Sequence, residues 1–481
     1  MGEKKFYVTT AIDYVNAEPH VGHAYEKIAT DVVARWHRLL GEDVWFLTGT
    51  DENAKKNELA AKAAGIPVKQ FVDKNAALFV ELCKALNLSN DDFIRTTELR
   101  HVKAAQMLFK KIYDAGDIYK DVYKGLYCVG CESFLTEKDL VNGRCPEHNK
   151  EPEFLEEESY FFRLSKYQKQ IEKMLQKKGF VLPDDKRKEM LSRLKEGLKD
   201  LSVSRTNQTW GIDVPIDSKH KIYVWIDALS NYISALDWPE GVQFKKYWPA
   251  DVHVIGKGIH WFHSVIWPAL LISAGIELPR GIFVHGYLTV NEQKISKSLG
   301  NVVDPIYLIK KYSSDSLRYF LLREIPLNKD GDFSEESLKS RHNNELADKL
   351  GNLVSRVTAL TEKYGIEKCE NKLLKKLKLK EIEKHIENYE LDKALSLIFD
   401  FIDACNEYVQ ENKLWETKDK KKLYEVADSI KAVTILLWPF VPASAEKIAA
   451  QFGFEIKFDN IETPLIITKI KKAEILFRKI Q

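Results

Sequence analysis

Apolar residues follow two different periods along the chain, and each change of period marks a change of element. Residues 6–12 are a short β-rich run. After Pro19, Ala24, Ile28, Val32, Trp36 and Leu39 recur at helical spacing until Gly41 stops the pattern. Residues 44–47 then open a second apolar strand, which runs into Thr48-Gly49-Thr50-Asp51. A strand–helix–strand unit this short predicts a right-handed parallel crossover. Ligands of such sheets bind at the carboxyl ends of the strands, where the loop 13–22 and the turn at Asp51 are expected to lie.

Helical periodicity continues through residues 66–115. Strand-like runs return at 222–226, 252–255 and 282–284, so the sheet is expected in two halves. Residues 116–215 would be inserted between them, with charged helices around 165–200. From Glu335 onward the pattern is helical. Leu346, Leu350, Leu353, Val357 and Leu360 form one stripe, and Leu391, Leu395, Ile398, Ile402 and Cys405 form another. The most apolar stretches, 265–274 and 433–441, carry proline and fall well short of the ~20 residues of a spanning helix. No membrane partner is therefore expected. The lysine runs at 372–380 and 418–422 read as solvated faces and loops.

Composition adds limits. A chain of 481 residues suggests more than one core. With 44% hydrophobic and 30% charged residues, its apolar content is ample, and wholesale disorder is excluded. A formal net charge of +2 argues against holding nucleic acid by bulk charge, although local basic surfaces remain open. The amino terminus has no small-residue cleavage pattern, and Phe6 stands where a myristoylation motif needs Ser or Thr. A cytoplasmic location is expected.

Three of the six cysteines, Cys83, Cys369 and Cys405, lie apart within helical patterns, as small apolar residues do. The others fall together: Cys128 and Cys131 in C-V-G-C, then Cys145 with His148 in C-P-E-H. Each pair can put two soft ligands on one tight turn, and four protein ligands close a tetrahedral shell around one structural zinc. A thiol-redox pair is the alternative, but it would not require the second turn.

Two short motifs carry candidate chemistry. His20-Val21-Gly22-His23 stands where the first helix begins. A helix amino terminus attracts anions, a glycine lets a phosphate approach the backbone, and two imidazoles can donate hydrogen bonds to it. Histidines in this position also serve simply as caps. Lys294-Ile295-Ser296-Lys297-Ser298 follows the strand ending near Val290. Two lysines and two hydroxyls in five residues can clamp a leaving pyrophosphate, and are otherwise a solvated loop.

Together, H-V-G-H and K-I-S-K-S resemble the two signatures of class I aminoacyl-tRNA synthetases, HIGH and KMSKS. Further stretches are similar to the methionyl family of that class over essentially the whole chain. They are A-I-D-Y (11–14), G-T-D-E (49–52), Y-V-W-I-D-A (223–228), F-H-S-V-I-W-P (262–268) and N-L-V-S-R (352–356). The single C-x2-C and C-x2-H unit is similar to one subgroup of the family.

The resemblance implies an α/β fold: a Rossmann-type parallel sheet split by a zinc-binding insertion, then an all-α anticodon-binding bundle. It divides the chain into a first catalytic half (1–115), the insertion (116–215), a second catalytic half (216–287), a lysine-loop connector (288–340) and the bundle (341–481). His20, His23, Lys294 and Lys297 are implied as catalytic, with ATP held by Asn16, His20, His23, Gly256 and Lys297. The implied methionine pocket is Ile12, Tyr14, Asp51, Trp225, Ala228, Leu229, Tyr232, Ile259, His263 and Trp267. There Asp51 would face the ammonium group, and the two tryptophans would meet the sulfur in contacts of ~0.3–1.5 kcal/mol each. Asn352, Arg356 and Trp415 would read the anticodon, as an amide, a guanidinium and an indole suit unstacked bases. Cys128, Cys131, Cys145 and His148 would hold the zinc, and magnesium would accompany ATP.

The implied partners are L-methionine, ATP and tRNA(Met), elongator and initiator. Without a segment resembling the family's dimerisation module, a monomer is expected. One departure stands out: Gly258 occupies the position in G-K-x-I where the family usually has Asp, which puts its ribose contact in doubt. Three rivals stand against this reading, and the first, a cysteine synthetase, would place zinc at the substrate rather than in a remote knuckle. Other class I synthetases for apolar amino acids carry a long editing insertion, for which residues 116–215 leave no room. An inactive tRNA-binding scaffold would not need intact HVGH, KISKS and Asp51.

Overall fold

The computed structural model describes residues 4–130, 133–147, 149–290, 292–295, 300–466, 470–472 and 474–480. Strand β1 (Lys5–Thr10) is buried on both faces from Phe6 onward, as suits the middle of a parallel sheet covered by helices. Its partners in chain order are β2 (Asp13–Tyr14), β3 (Asp43–Asp51), β4 (Asp92–Arg95), β5 (Val181–Leu182), β6 (Val252–Gly256) and β7 (Ile282–His285). All pair in parallel in the order β4–β3–β1–β6–β7–β5, and β2 pairs with the last two residues of β3. The first half of the chain thus builds outward from β1 in one direction and the second half in the other. The crevice at that reversal is where such sheets receive ligands. Helix α1 (Val21–Leu39) connects β1 to β3 and points its amino terminus there.

The insertion is less separate than the pattern suggested. Its body is an antiparallel sheet of Ile118–Cys128, Ser133–Leu135, Glu153–Phe162 and Leu201–Ser202. Between the last two strands, however, the chain returns to the main sheet to supply β5, which pairs with β7. A two-residue strand carries no period, so the boundary 116–215 hid this excursion. The strand expected at 222–226 is also corrected. A strand of a separate small sheet ends at Ile222, and Val224–Leu229 is helix α2, buried at every position. A short continuous apolar run fits a buried strand or a buried helix equally well.

Helix α3 (Ser314–Glu324) lies between α1 and the carboxyl-terminal helices α4 (Asn352–Tyr364), α5 (Leu391–Glu411), α6 (Lys420–Leu437) and α7 (Pro442–Phe452). One hydrophobic core runs unbroken from α1 through α3 into these helices. Beyond Phe452 the expected helical pattern fails. The described tail has only a short turn at Phe458–Asn460, and it folds back so that the Arg478 and Ile480 carbonyls meet His342 and Asn343. No helix among the described residues is long and apolar enough to cross a membrane.

Arg318 of α3 fastens these parts together. Fully buried, it pairs with Asp31 of α1 at 2.7 Å and donates to the carbonyls of Leu86, Pro439 and Phe440. Asp31 in turn receives Arg35 and Ser89. Removing one partner of a buried pair strands the other charge, so Arg318→Met should cost about 3–5 kcal/mol of stability. A thermal unfolding midpoint equal to the parent's would contradict this.

Candidate active site

A cleft of about 1070 Å³ opens at the carboxyl ends of β1, β3, β6 and β7. Four groups of residues wall it: the loop after β1 with the start of α1, the turn after β3 with α2, the segments after β6 and β7, and a turn of the insertion.

At the start of α1, His20 is the N-cap and His23 the third helical residue, each satisfying a backbone donor that a helix end would leave bare. The Gly22 N–H donates to His20 Nδ1 at 3.1 Å, and the His20 N–H donates to His23 Nδ1 at 3.0 Å. The rings stack at 3.8 Å. Burial and the facing imidazole push the His20 pKa down to about 2, and burial with the Lys27 ammonium pushes His23 down to about 3. A neutral imidazole whose Nδ1 accepts must carry its proton on Nε2. Both residues are therefore Nε2–H donors on the cleft wall. The two side chains that cap the helix also turn an N–H toward the cleft, so the two roles that the sequence left as alternatives are compatible. Gly22 is required here: a Cβ would lie 2.9 Å from His20 Cε1.

The segment that leads into the lysine motif folds back onto this corner as far as Ile295. Leu288–Val290 pairs with Gln293–Lys294, and Ile295 lines the cleft beside Gly22. The Val21 N–H donates to the Val303 carbonyl at 3.0 Å, fastening the segment after the motif to the helix start. Lys297 lies outside the described residues, as do Cys131 and His148.

The other end of the cleft has the character of a pocket for a compact zwitterion with an apolar tail. Asp51 ends β3 and is 2% exposed. The Trp225 indole stacks on Phe262 at 3.7 Å and meets His263 edge-on. His263 Nδ1 is 3.0 Å from the Ile259 carbonyl, which can only accept, so that nitrogen carries the proton. Nε2 then accepts from the Tyr232 hydroxyl at 2.7 Å, while burial pushes the His263 pKa down to about 4. The floor is thus polar but uncharged.

Ile12, Tyr14, Asn16, Asp51, Trp225, Ala228, Leu229, Tyr232, Gly256, Ile259 and His263 all line the cleft with His20 and His23. Trp267 does not. It is fully buried behind Tyr232, ring centroids 6.0 Å apart, and supports the wall from outside. The departure at Gly258 also has a local counterpart. A Cβ there would sit 2.2 Å from the Tyr287 hydroxyl, so a tyrosine from the segment after β7 fills the space of the missing side chain. Other cleft residues were not legible as site residues: Asp13, Glu26, Tyr287, and Glu147, Asn149 and Lys150 from the insertion. The last three reach the cleft from a turn whose periodicity says nothing of where it lands.

The family model "tRNA synthetases class I (M)" matches residues 6–152 and 137–358, covering the sheet, the insertion and the lysine motif. The chain belongs to that family. A second model, "Anticodon-binding domain of tRNA ligase", matches residues 370–474. Among curated relatives, the methionine–tRNA ligase of Caldanaerobacter subterraneus subsp. tengcongensis is 42% identical, over 99% of this chain and 79% of that protein. That of Thermotoga maritima is 44% identical over 94% and 76%. Among solved structures, Mycobacterium tuberculosis methionyl-tRNA synthetase in complex with methionyl-adenylate superposes with a TM-score of 0.95 at 39% identity, covering 98% of this chain and 99% of that one. Membership in the class I synthetases fits a cleft with anion donors at one end and a buried carboxylate at the other.

Two further groups of expected residues lie away from the cleft. Cys128 ends the long insertion strand, and Cys145 follows a tight turn in which Val141 pairs with Arg144. Both thiols are buried, and neither is in a disulfide. The Asn149 N–H closes back on the Cys145 carbonyl at 2.8 Å. No three metal-ligating side chains cluster among the described residues, which exclude two of the four expected ligands. In the bundle, Arg356 donates to Asn406 of α5 at 2.7 Å, a partner the sequence did not suggest. Trp415, 39% exposed, sits on the short turn Leu414–Thr417 rather than on the long helix, which ends at Glu411.

Proposed function

We propose that this chain activates methionine with ATP and transfers it to tRNA(Met), elongator and initiator. The observation that carries the reading is one cleft in which paired Nε2–H donors at a helix start face a buried carboxylate across an uncharged aromatic floor. Asp51 receives the methionine ammonium group. Trp225, Tyr232 and His263 enclose the thioether, Ile12, Tyr14, Ala228, Leu229 and Ile259 complete the wall, and Trp267 backs it. Asn16 and Gly256 flank the nucleotide. A methionine carboxylate oxygen attacks the α-phosphorus, the bond to the β-phosphate oxygen breaks, and pyrophosphate leaves. His20 and His23 donate to the phosphates, and Lys297 with Lys294 takes up the charge that builds on the leaving group. Positioning and charge stabilisation do this work without a covalent enzyme intermediate. A terminal ribose hydroxyl of the tRNA then attacks the adenylate carbonyl carbon and releases AMP. Magnesium arrives with ATP.

Asn352, Arg356 and Trp415 read the anticodon, with Asn406 setting the guanidinium. Cys128, Cys131, Cys145 and His148 hold one structural zinc, which shapes the insertion and takes no part in either chemical step. The enzyme is read as a cytoplasmic monomer. Charging of unfractionated tRNA with labelled methionine tests the whole reading; no methionyl-tRNA formed would contradict it. Cys128→Ser should lose the metal, measured by elemental analysis, and lower the stability of the insertion. A variant that keeps stoichiometric zinc would refute the ligand assignment.

A further inference from the structure

Beneath the two histidines lies a pair of charges that neither motif includes. Lys27, one turn beyond His23 on α1, is completely buried, and its ammonium bonds Oδ2 of Asp13 on β2. Asp13 is not hidden. Its side chain is 10% exposed and lines the cleft, and its other oxygen, Oδ1, stands 3.9 Å from His23 Nε2. That nitrogen carries the proton an incoming phosphate would use. A carboxylate beside it would compete for that proton and repel the phosphate, at a separation where two charges away from bulk water interact strongly. Burying a lysine is costly unless its charge is paired and hydrogen-bonded, so placing one at this point needs a reason beyond packing.

We propose that Lys27 is a positioning residue for the nucleotide: by engaging Asp13 it leaves the His23 Nε2–H available to a phosphate and cancels the carboxylate charge at that point of the cleft. The geometry divides the labour between the two oxygens. Oδ2 is committed to Lys27, so Oδ1 faces His23 as one edge of a neutral pair rather than as a bare anion. The other groups around the pair leave this arrangement alone. Cys83 is a thiol whose pKa burial pushes up to about 11, and Glu26 is engaged by the Ala11 N–H and His285. Across from Asp13, the His23 ring packs on the His20 ring and against the edge of Phe79.

The proposal rests on the reading that His23 donates to ATP. Its test is pyrophosphate exchange on the full chain, with ATP and methionine varied separately. Lys27→Gln can still donate to Asp13 and fills similar space without charge. It should raise the KM for ATP about tenfold or more and change the KM for methionine by less than about twofold. The double variant Asp13→Asn/Lys27→Gln removes the carboxylate charge as well, and its KM for ATP should return to within about threefold of the parent. A purely structural lysine would impair both substrates, with no rescue in the double variant. The proposal is overturned by Lys27→Gln with the parent's KM for ATP, or by a folded double variant as impaired as the single one. Absence of methionine-dependent exchange in the parent would instead overturn the functional reading beneath it.

Discussion

Asp51→Asn should lower kcat/KM for methionine activation about a thousand-fold while leaving the KM for ATP near that of the parent. The substitution keeps the shape of the side chain and removes only its charge. Asp51 ends β3 inside the cleft at 2% exposure, so an ammonium group bound there is largely out of water. Taking one partner from a buried pair costs about 3–5 kcal/mol, and each 1.36 kcal/mol is tenfold in rate. Exchange assays with methionine and ATP varied in turn separate the two effects. A loss under about tenfold would mean that the ammonium binds elsewhere.

His20→Asn should cut kcat for exchange by about 10²–10³ with little loss of stability, because the residue has two roles that this substitution separates. As N-cap, His20 accepts from the helix backbone, and asparagine is among the best side chains for that task. As the bearer of an Nε2–H on the cleft wall, it would donate to a phosphate under the proposed function, which asparagine is too short to reach. His20→Ala should show the same kinetic loss and in addition lose about 1 kcal/mol of stability. If asparagine restored most of the activity lost in the alanine variant, capping rather than phosphate binding would be the residue's main role.

The parts of the site that could be read from the sequence are those built by one local element. His20 and His23 bracket a helix start, and the structure places both there on the cleft wall. Asp51 ends an apolar strand, so its place at the carboxyl edge of the sheet followed from the strand itself. What escaped were relations between distant segments. The Val21 N–H meets the Val303 carbonyl, Tyr287 fills the space left by Gly258, and Glu147 arrives from the insertion. No periodicity encodes such meetings. Lys27 escaped for a different reason. A lysine within an amphipathic pattern reads as solvated, and only the fold shows that this one is sealed beneath the histidines with Asp13. Residues 222–226 failed on length, since five apolar residues do not distinguish a strand from a buried helix turn. Trp267 was in the matching motif, but its bulk sits behind Tyr232 rather than in the cleft.

The most direct test of the function is ATP–pyrophosphate exchange measured with each amino acid in turn, under one set of conditions. A buried carboxylate placed to pair with an ammonium group, beside an uncharged floor of Trp225, Tyr232 and His263, should select a flexible thioether, so exchange is expected with methionine and only weakly with leucine, isoleucine or valine. No exchange with methionine, or stronger exchange with leucine, would contradict it.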